Sequence, residues 1–175
     1  MNILAIDPSL TETGYARSIN DHGIIKPPKV VGLGWERISF IRRRVLSLAN
    51  GVDLVAIEEP FIPHDPKRMG AAKKLIELGA IIRYQLHMKK IPYVDIPPTS
   101  LKMYATGRGD GAKVNMIVAA RERFQIGDTV NDNECDAYLL WCMAREGCGC
   151  PIVKVPQTHL RGMEKVSWPE IGETP

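Results

Sequence analysis

Met1-Asn-Ile-Leu-Ala-Ile6-Asp7-Pro8-Ser9-Leu10-Thr11-Glu12-Thr13-Gly14-Tyr15 is the stretch on which the reading of the whole chain turns. Met1 to Ile6 is an apolar run of strand length, and it delivers Asp7 straight into a turn of proline, small polar residues and glycine. A carboxylate held at the end of a buried strand can meet others brought in from elsewhere. Asp-Pro is also an ordinary turn starter, so the meaning of Asp7 depends on where the other acids fall.

Working outward, Tyr15 to Ile19 reads as a second strand and Asn20-Asp21-His22-Gly23 as a turn. Ile24 to Leu33, interrupted by Pro27-Pro28, supplies a third strand near an edge, completing a meander. From Trp35 to Ala49 the residues Ile38, Ile41, Val45 and Leu48 recur at helical spacing, with Asn50-Gly51 as the stop. Arg42, Arg43 and Arg44 fall mainly outside that stripe and read as a solvated face. Val52 to Ile57 is a fourth strand, again apolar and again ending in acid, at Glu58-Glu59-Pro60-Phe61. If it lies parallel beside the first strand, Asp7 and Glu58 emerge at neighbouring ends. Glu58 and Glu59 point to opposite faces, so one of them belongs with Asp7, and Glu58 is the choice.

His64-Asp65-Pro66-Lys67-Arg68 leads into a long helix, Met69 to about Met88, with apolar positions at Ala72, Leu75, Ile76, Ala80, Ile82 and Leu86. It is apolar on more than one side, which suits a buried connecting helix or one that also faces a second subunit. Ile91 to Ile96 is a fifth strand ended by Pro97-Pro98. A short helix follows, capped by Thr99 or Ser100 and carrying Lys102. The glycine-rich loop Thr106-Gly-Arg108-Gly-Asp-Gly111 then runs into a helix from Ala112 to Phe124 that begins with Lys113. No Gly-Lys-Ser/Thr follows the glycines, so this is not a Walker loop. In Asn131-Asp132-Asn133-Glu134-Cys135-Asp136-Ala137, Asn131 and Glu134 have capping-box spacing, and Asp132 and Asp136 share a face one turn apart. The helix dipole accounts for acids in the first turn. It does not account for Asp136, one turn inward in an otherwise apolar helix, where a carboxylate needs a partner.

The 175 residues, 45% hydrophobic and 25% charged, suit one globular core. The four cysteines have no zinc spacing and read as reduced thiols, and no apolar run approaches the ~20 residues of a membrane span. A soluble, cytoplasmic protein is the expectation. The net charge is only +3, but Pro60 to Gln125 holds twelve Lys or Arg against five Asp or Glu, which suits a polyanion held next to a carboxylate site. Residues 1–150 read as one domain, and 151–175 as an irregular C-terminal tail to which no chemistry attaches.

Four motifs, in order, carry a resemblance: Ile6-Asp7-Pro8-Ser9 to Thr13-Gly14-Tyr15; Ile57-Glu58-Glu59-Pro60-Phe61; Pro98 to Lys102 with Thr106 to Lys113; and Asn133-Glu-Cys-Asp136-Ala137. In these the chain resembles the RuvC-type Holliday junction resolvases of the RNase H-like nuclease superfamily. The resemblance implies an α/β, RNase H-like fold with a five-stranded mixed sheet flanked by helices on both faces. It implies a metal-dependent endonuclease that resolves four-way junctions by paired hydrolysis, working as a homodimer on branched DNA. Asp7, Glu58 and Asp136 would bind metal, with Asn133 at the place of the family's fourth acid. Either Asn133 ligates through its amide oxygen, or Asp132 or Glu134 substitutes, and the shared helical face favours Asp132. Phe61 matches an aromatic that stacks on opened bases, worth roughly 1–3 kcal/mol per base. Lys102 and Lys113 match basic positions at the scissile phosphate, and Arg108 lies in the adjacent basic loop. An all-oxygen set suits Mg2+ or Mn2+, and two ions about 4 Å apart serve in-line phosphodiester displacement without a protein nucleophile.

Two other classes share part of this pattern. An actin-like nucleotide-binding protein also opens with a strand ending in acid, but predicts a second phosphate loop, which the chain lacks. A catalytically silent branched-DNA-binding module would explain Asn133 and predicts binding without cleavage. The short YqgF-like nucleases share the first motif, whereas Phe61 and the basic Thr106-to-Lys113 loop favour the junction enzyme.

Overall fold

The computed structural model describes residues 1–32, 34–62, 65, 69–127 and 131–169, apart from the side chain at position 71. Most of the loop expected at 64–68, and Leu33 at the end of the expected third strand, lie outside these residues. The elements run β1 (Ile3–Asp7), β2 (Thr13–Ser18), β3 (Asp21–Ile25), α1 (Trp35–Leu48), β4 (Leu54–Glu58), α2 (Met69–Met88), β5 (Tyr93–Ile96), α3 (Pro98–Thr106), α4 (Lys113–Glu122), α5 (Asp132–Gly147) and α6 (Gln157–Leu160).

One five-stranded sheet is ordered β3-β2-β1-β4-β5. The first three strands form the antiparallel meander, and β4 and β5 run parallel to β1. This is the mixed α/β architecture expected of the chain. β1 is central and wholly buried, and its side chains alternate between two cores. Ile3 and Ala5 join the core beneath α3, α4 and α5, while Leu4 and Ile6 join that beneath α1 and α2. β4 repeats the division, with Leu54 and Ala56 on one side and Val55 and Ile57 on the other. The face toward α5 is lined by Ala5, Ala16 and Ala56, small side chains over which Leu139, Leu140 and Met143 are completely buried.

Local details depart from the sequence expectations for identifiable reasons. β3 begins inside the expected turn, because His22 and Gly23 pair with Ala16 and Tyr15, and it ends at Ile25 ahead of Pro27-Pro28, which have no N–H for the ladder. In α2 the fully buried stripe is Leu78, Ile82 and Leu86; Ala80, two residues from Ile82, falls on the exposed side. Pro97, not Thr99 or Ser100, occupies the N-cap of α3, with Pro98 preorganising its first turn. Asn131 does cap α5, but through the N–H of Asn133 at 2.9 Å, and Glu134 turns instead to His22 at 2.7 Å, so no capping box forms.

Residues 151–169 pack onto α3 through α6 and the 3-10 turn Met163–Lys165, burying Val155, His159 and Val166. No helix among the described residues is long and apolar enough to cross a membrane.

Candidate active site

Asp7 closes β1 opposite Gly14, and the turn that follows is knitted by hydroxyls. The Thr13 hydroxyl donates to the Ser9 carbonyl at 2.6 Å and accepts from the Ser9 N–H at 3.0 Å. That closed turn holds the Asp7 carboxylate at the sheet edge, only 8% exposed. The parallel register Ile6 to Ile57 then brings Glu58 alongside, and the two side chains share a hydrogen bond. Glu59 is exposed.

Asp136 enters from α5, whose first turn is stapled to the β1–β2 turn by Glu12. The Glu12 carboxylate accepts from Asn131 Nδ2 at 2.6 Å and Lys26 Nζ at 2.5 Å, and its backbone oxygen accepts from Asn133 Nδ2 at 2.7 Å. Gly14 lets the two elements close up, since a Cβ there would collide with the Asn133 carbonyl. Glu12 was not singled out by its sequence, because a turn residue's partners on a distant helix leave no local pattern. On the outer side, His22 and Glu134 tie β3 to α5, with the His22 ring edge-on to Tyr138.

Burial dominates the acidity of the cluster. It pushes Asp7 up to about 7, aided by Asp136 and opposed by the Glu58 hydrogen bond and Lys113. Burial and then Asp7 raise Glu58 well above the usual carboxylate range, with Lys102 opposing. Burial also raises Asp136 to about 6, with Asp132 adding to the rise and Lys113 and Lys102 opposing it. Four acids and two lysines from five elements therefore act on one another at this end of the sheet. Alone, the carboxylates retain protons that water would take from them.

Asp132 is half exposed and its carboxylate lies 3.3 Å from Lys113 Nζ. Asn133 differs, because its amide N–H is committed to the hairpin. Phe61, 70% exposed, and Lys102 line a cleft of about 250 Å³ together with Asp7, Glu58, Glu59 and Arg83. Arg108 is elsewhere: exposed, bonded to Asp110 at 3.2 Å, and lining a separate depression with Asn115, Val118 and Arg123.

Among the described residues no three acids, histidines or cysteines are drawn together closely enough to hold an ion as they stand. The donor set nevertheless fits a hard divalent cation. It is oxygen-only, and carboxylates whose acidity is weakened by burial and by one another would regain it beside a bound cation.

No family model matches the chain. It is 30% identical over 128 residues to the crossover junction endodeoxyribonuclease RuvC of Ehrlichia ruminantium (strain Gardel), covering 65% of this chain and 76% of that protein. The corresponding protein of the Welgevonden strain is 29% identical over 163 residues, covering 80% and 98%. Among solved structures, Thermus thermophilus RuvC superposes with a TM-score of 0.63 at 18% identity over 86% of this chain and 98% of that one. T. thermophilus RuvC in complex with Holliday junction substrate gives 0.60 at 19% identity over 80% and 90%. The fold agrees with these structures, and the 30% identity spanning 76% of the Ehrlichia protein shows that the chain belongs to the RuvC family of crossover junction endodeoxyribonucleases.

Proposed function

We propose that this chain resolves four-way DNA junctions by divalent-metal-dependent hydrolysis at the Asp7, Glu58 and Asp136 cluster. The observation that carries the reading is that β1 and β4 bring Asp7 and Glu58 to neighbouring strand ends, in a cleft also lined by Phe61 and Lys102, with Asp136 of α5 close enough to act on both acids. Asp7, Glu58 and Asp136 would hold the metal, with Asp132 as the fourth acid, since it faces Lys113 and raises Asp136 while Asn133 is engaged with Glu12. Mg2+ or Mn2+ held there, as two ions, would supply an activated water and charge stabilisation for the leaving oxygen. Lys102 and Lys113 neutralise the phosphate brought against the acids, and Phe61 offers an exposed ring to an unpaired base. Arg108, outside the cleft, is suited to a more distant backbone contact. A homodimer would place two such sites across the junction; α2 leaves Tyr84 and Met88 exposed for a partner surface.

The test is cleavage of four-way, three-way and flap DNA with Mg2+ or Mn2+. Paired nicks in the four-way substrate are expected, abolished by chelator and by Asp7→Asn. Binding without nicks in either metal would make the chain a silent junction-binding module.

A further inference from the structure

Arg83 lies in the cleft without a role in the chemistry above. It sits on α2, its Nε donates to Asp95 Oδ1 of β5 at 2.7 Å, and its side chain is only 18% exposed. Among the described residues Asp95 is the acceptor bonded to the guanidinium. One turn earlier stands Gly79, where a Cβ would lie 2.5 Å from Arg83 Nη1. The guanidinium therefore lies back along the helix in the space that a side chain at 79 would fill. A glycine in the middle of a twenty-residue helix costs about 1 kcal/mol relative to alanine, and here it makes room for this one group.

The cleft gives the arrangement a ligand. Asp7, Glu58 and Glu59 line it on one side, so a strand entering to be cut meets carboxylates along with Lys102. An arginine whose Nε is already taken presents two fixed donors to a tetrahedral anion, the geometry in which guanidinium exceeds ammonium as a phosphate partner. Resting on the junction-nuclease reading, we propose that Arg83 is a DNA-binding residue that holds a backbone phosphate beside the scissile one, with Asp95 and Gly79 as its positioning residues. Phe61, lining the same cleft, takes the neighbouring base.

The experiment measures binding of the full chain to four-way junctions in EDTA, with single phosphates around the crossover replaced in turn by neutral methylphosphonates. One position is expected at which neutralisation weakens wild type about tenfold yet has no further effect on Arg83→Gln, and the salt slope of Arg83→Gln falls by about one. Arg83→Gln combined with Asp95→Asn removes the stranded acid if the single variant folds poorly. Gly79→Ala separates binding from support: its Cβ displaces the guanidinium from its place against the helix while alanine favours the helix itself, so melting temperature holds while junction affinity falls. Wild-type affinity in Gly79→Ala, or equal losses at every phosphate in wild type and Arg83→Gln, would overturn the assignment. Mg2+ cleavage of the unmodified junction is run alongside. A wild-type chain that neither binds nor cuts removes the nuclease reading and this assignment with it; one that does both without a coupled phosphate removes Arg83 alone.

Discussion

The backbone carbonyl of Asn133 occupies the space that a side chain at Gly14 would need. Gly14 pairs with Asp7 in the β1–β2 ladder, and Asn133 lies one turn before Asp136, so this contact sets the distance between two acids of the site. Gly14→Ala meets main chain rather than a movable side chain, and α5 must retreat from the sheet. A loss of about 3 kcal/mol in urea denaturation is expected, near the upper end for overpacking. Cleavage should fall even where the variant remains folded, and an unchanged denaturation midpoint would show that the helix is not held there.

The raised pKa values predict that the metal-free protein is limited by its own site. Asp7 moves from its ordinary 3.8 to about 7 and Asp136 from 3.8 to about 6, so the folded state binds protons that the unfolded chain releases. The contribution of this cluster to stability should therefore fall as pH rises from about 4 through about 7, the reverse of an ion-paired carboxylate. Asp7→Asn in EDTA should gain on the order of 1–3 kcal/mol at pH 8 and little near pH 4, while losing cleavage. Urea denaturation at both pH values decides it; a wild type more stable at pH 8 would contradict the origin assigned to the shift.

Metal should remove the same penalty. At about one hundred times its dissociation constant a ligand of the folded state adds roughly 2.7 kcal/mol. Titrating Mn2+ at pH 8 should raise the wild-type melting temperature strongly. The rise should be smaller at pH 5, where protons compete for Asp7 and Glu58, and smaller again in Asp7→Asn. Equal rises in all three would place the bound ion away from these acids.

Asp7 and Glu58 were legible in the sequence because each closes an apolar run of strand length, and parallel pairing of two such runs leaves their ends adjacent. Asp136 was legible because an acid one turn inside an apolar helix needs a reason. The staples were not: Glu12 reaches Asn131 and Asn133 across 119 and 121 residues, and no spacing rule connects a turn to a helix that far away. Arg83 was hidden for a similar reason, since its meaning comes from Asp95 on another element and from the glycine one turn before it. Arg108 shows the converse. A glycine-rich loop advertises a phosphate contact, but where it sits is fixed by the end of α3 and the start of α4, and there Arg108 lines a depression separate from the cleft.

Asn133 offers a sharp test of which residue completes the acid set. Its amide N–H donates to the Glu12 carbonyl at 2.7 Å, a bond that a carboxylate cannot make. Asn133→Asp would set two acceptors against each other beside an acidic cluster, so a loss of about 1–2 kcal/mol is expected, with no gain in cleavage. Asp132→Asn, by contrast, should leave stability nearly unchanged because its pair with Lys113 is exposed, yet lower cleavage in Mg2+. If Asn133→Asp cuts faster and Asp132→Asn cuts normally, the fourth ligand is at 133.

Residues 151–169 should matter to the site through their packing on α3. α3 carries Lys102, and the carbonyl of Tyr104 in its last turn accepts from His159 Nδ1 at 2.8 Å, while that of Ala105 accepts from Arg123 at 2.9 Å. Gly162 makes this docking possible: a Cβ there would lie 2.5 Å from the Ser100 carbonyl oxygen and 3.0 Å from the Tyr104 nitrogen. Its φ of −60° is open to any residue, so alanine would act through that collision and not through backbone strain. Gly162→Ala should cost about 1–3 kcal/mol and lower junction cleavage as α3 shifts under Lys102. Gly149→Ala is the control, with a φ of +71° and open space around it, so it carries the conformational cost without the collision. Stability and cleavage measured on both variants separate the two effects, and equal behaviour of the pair would show that the tail does not hold α3 in register with the site.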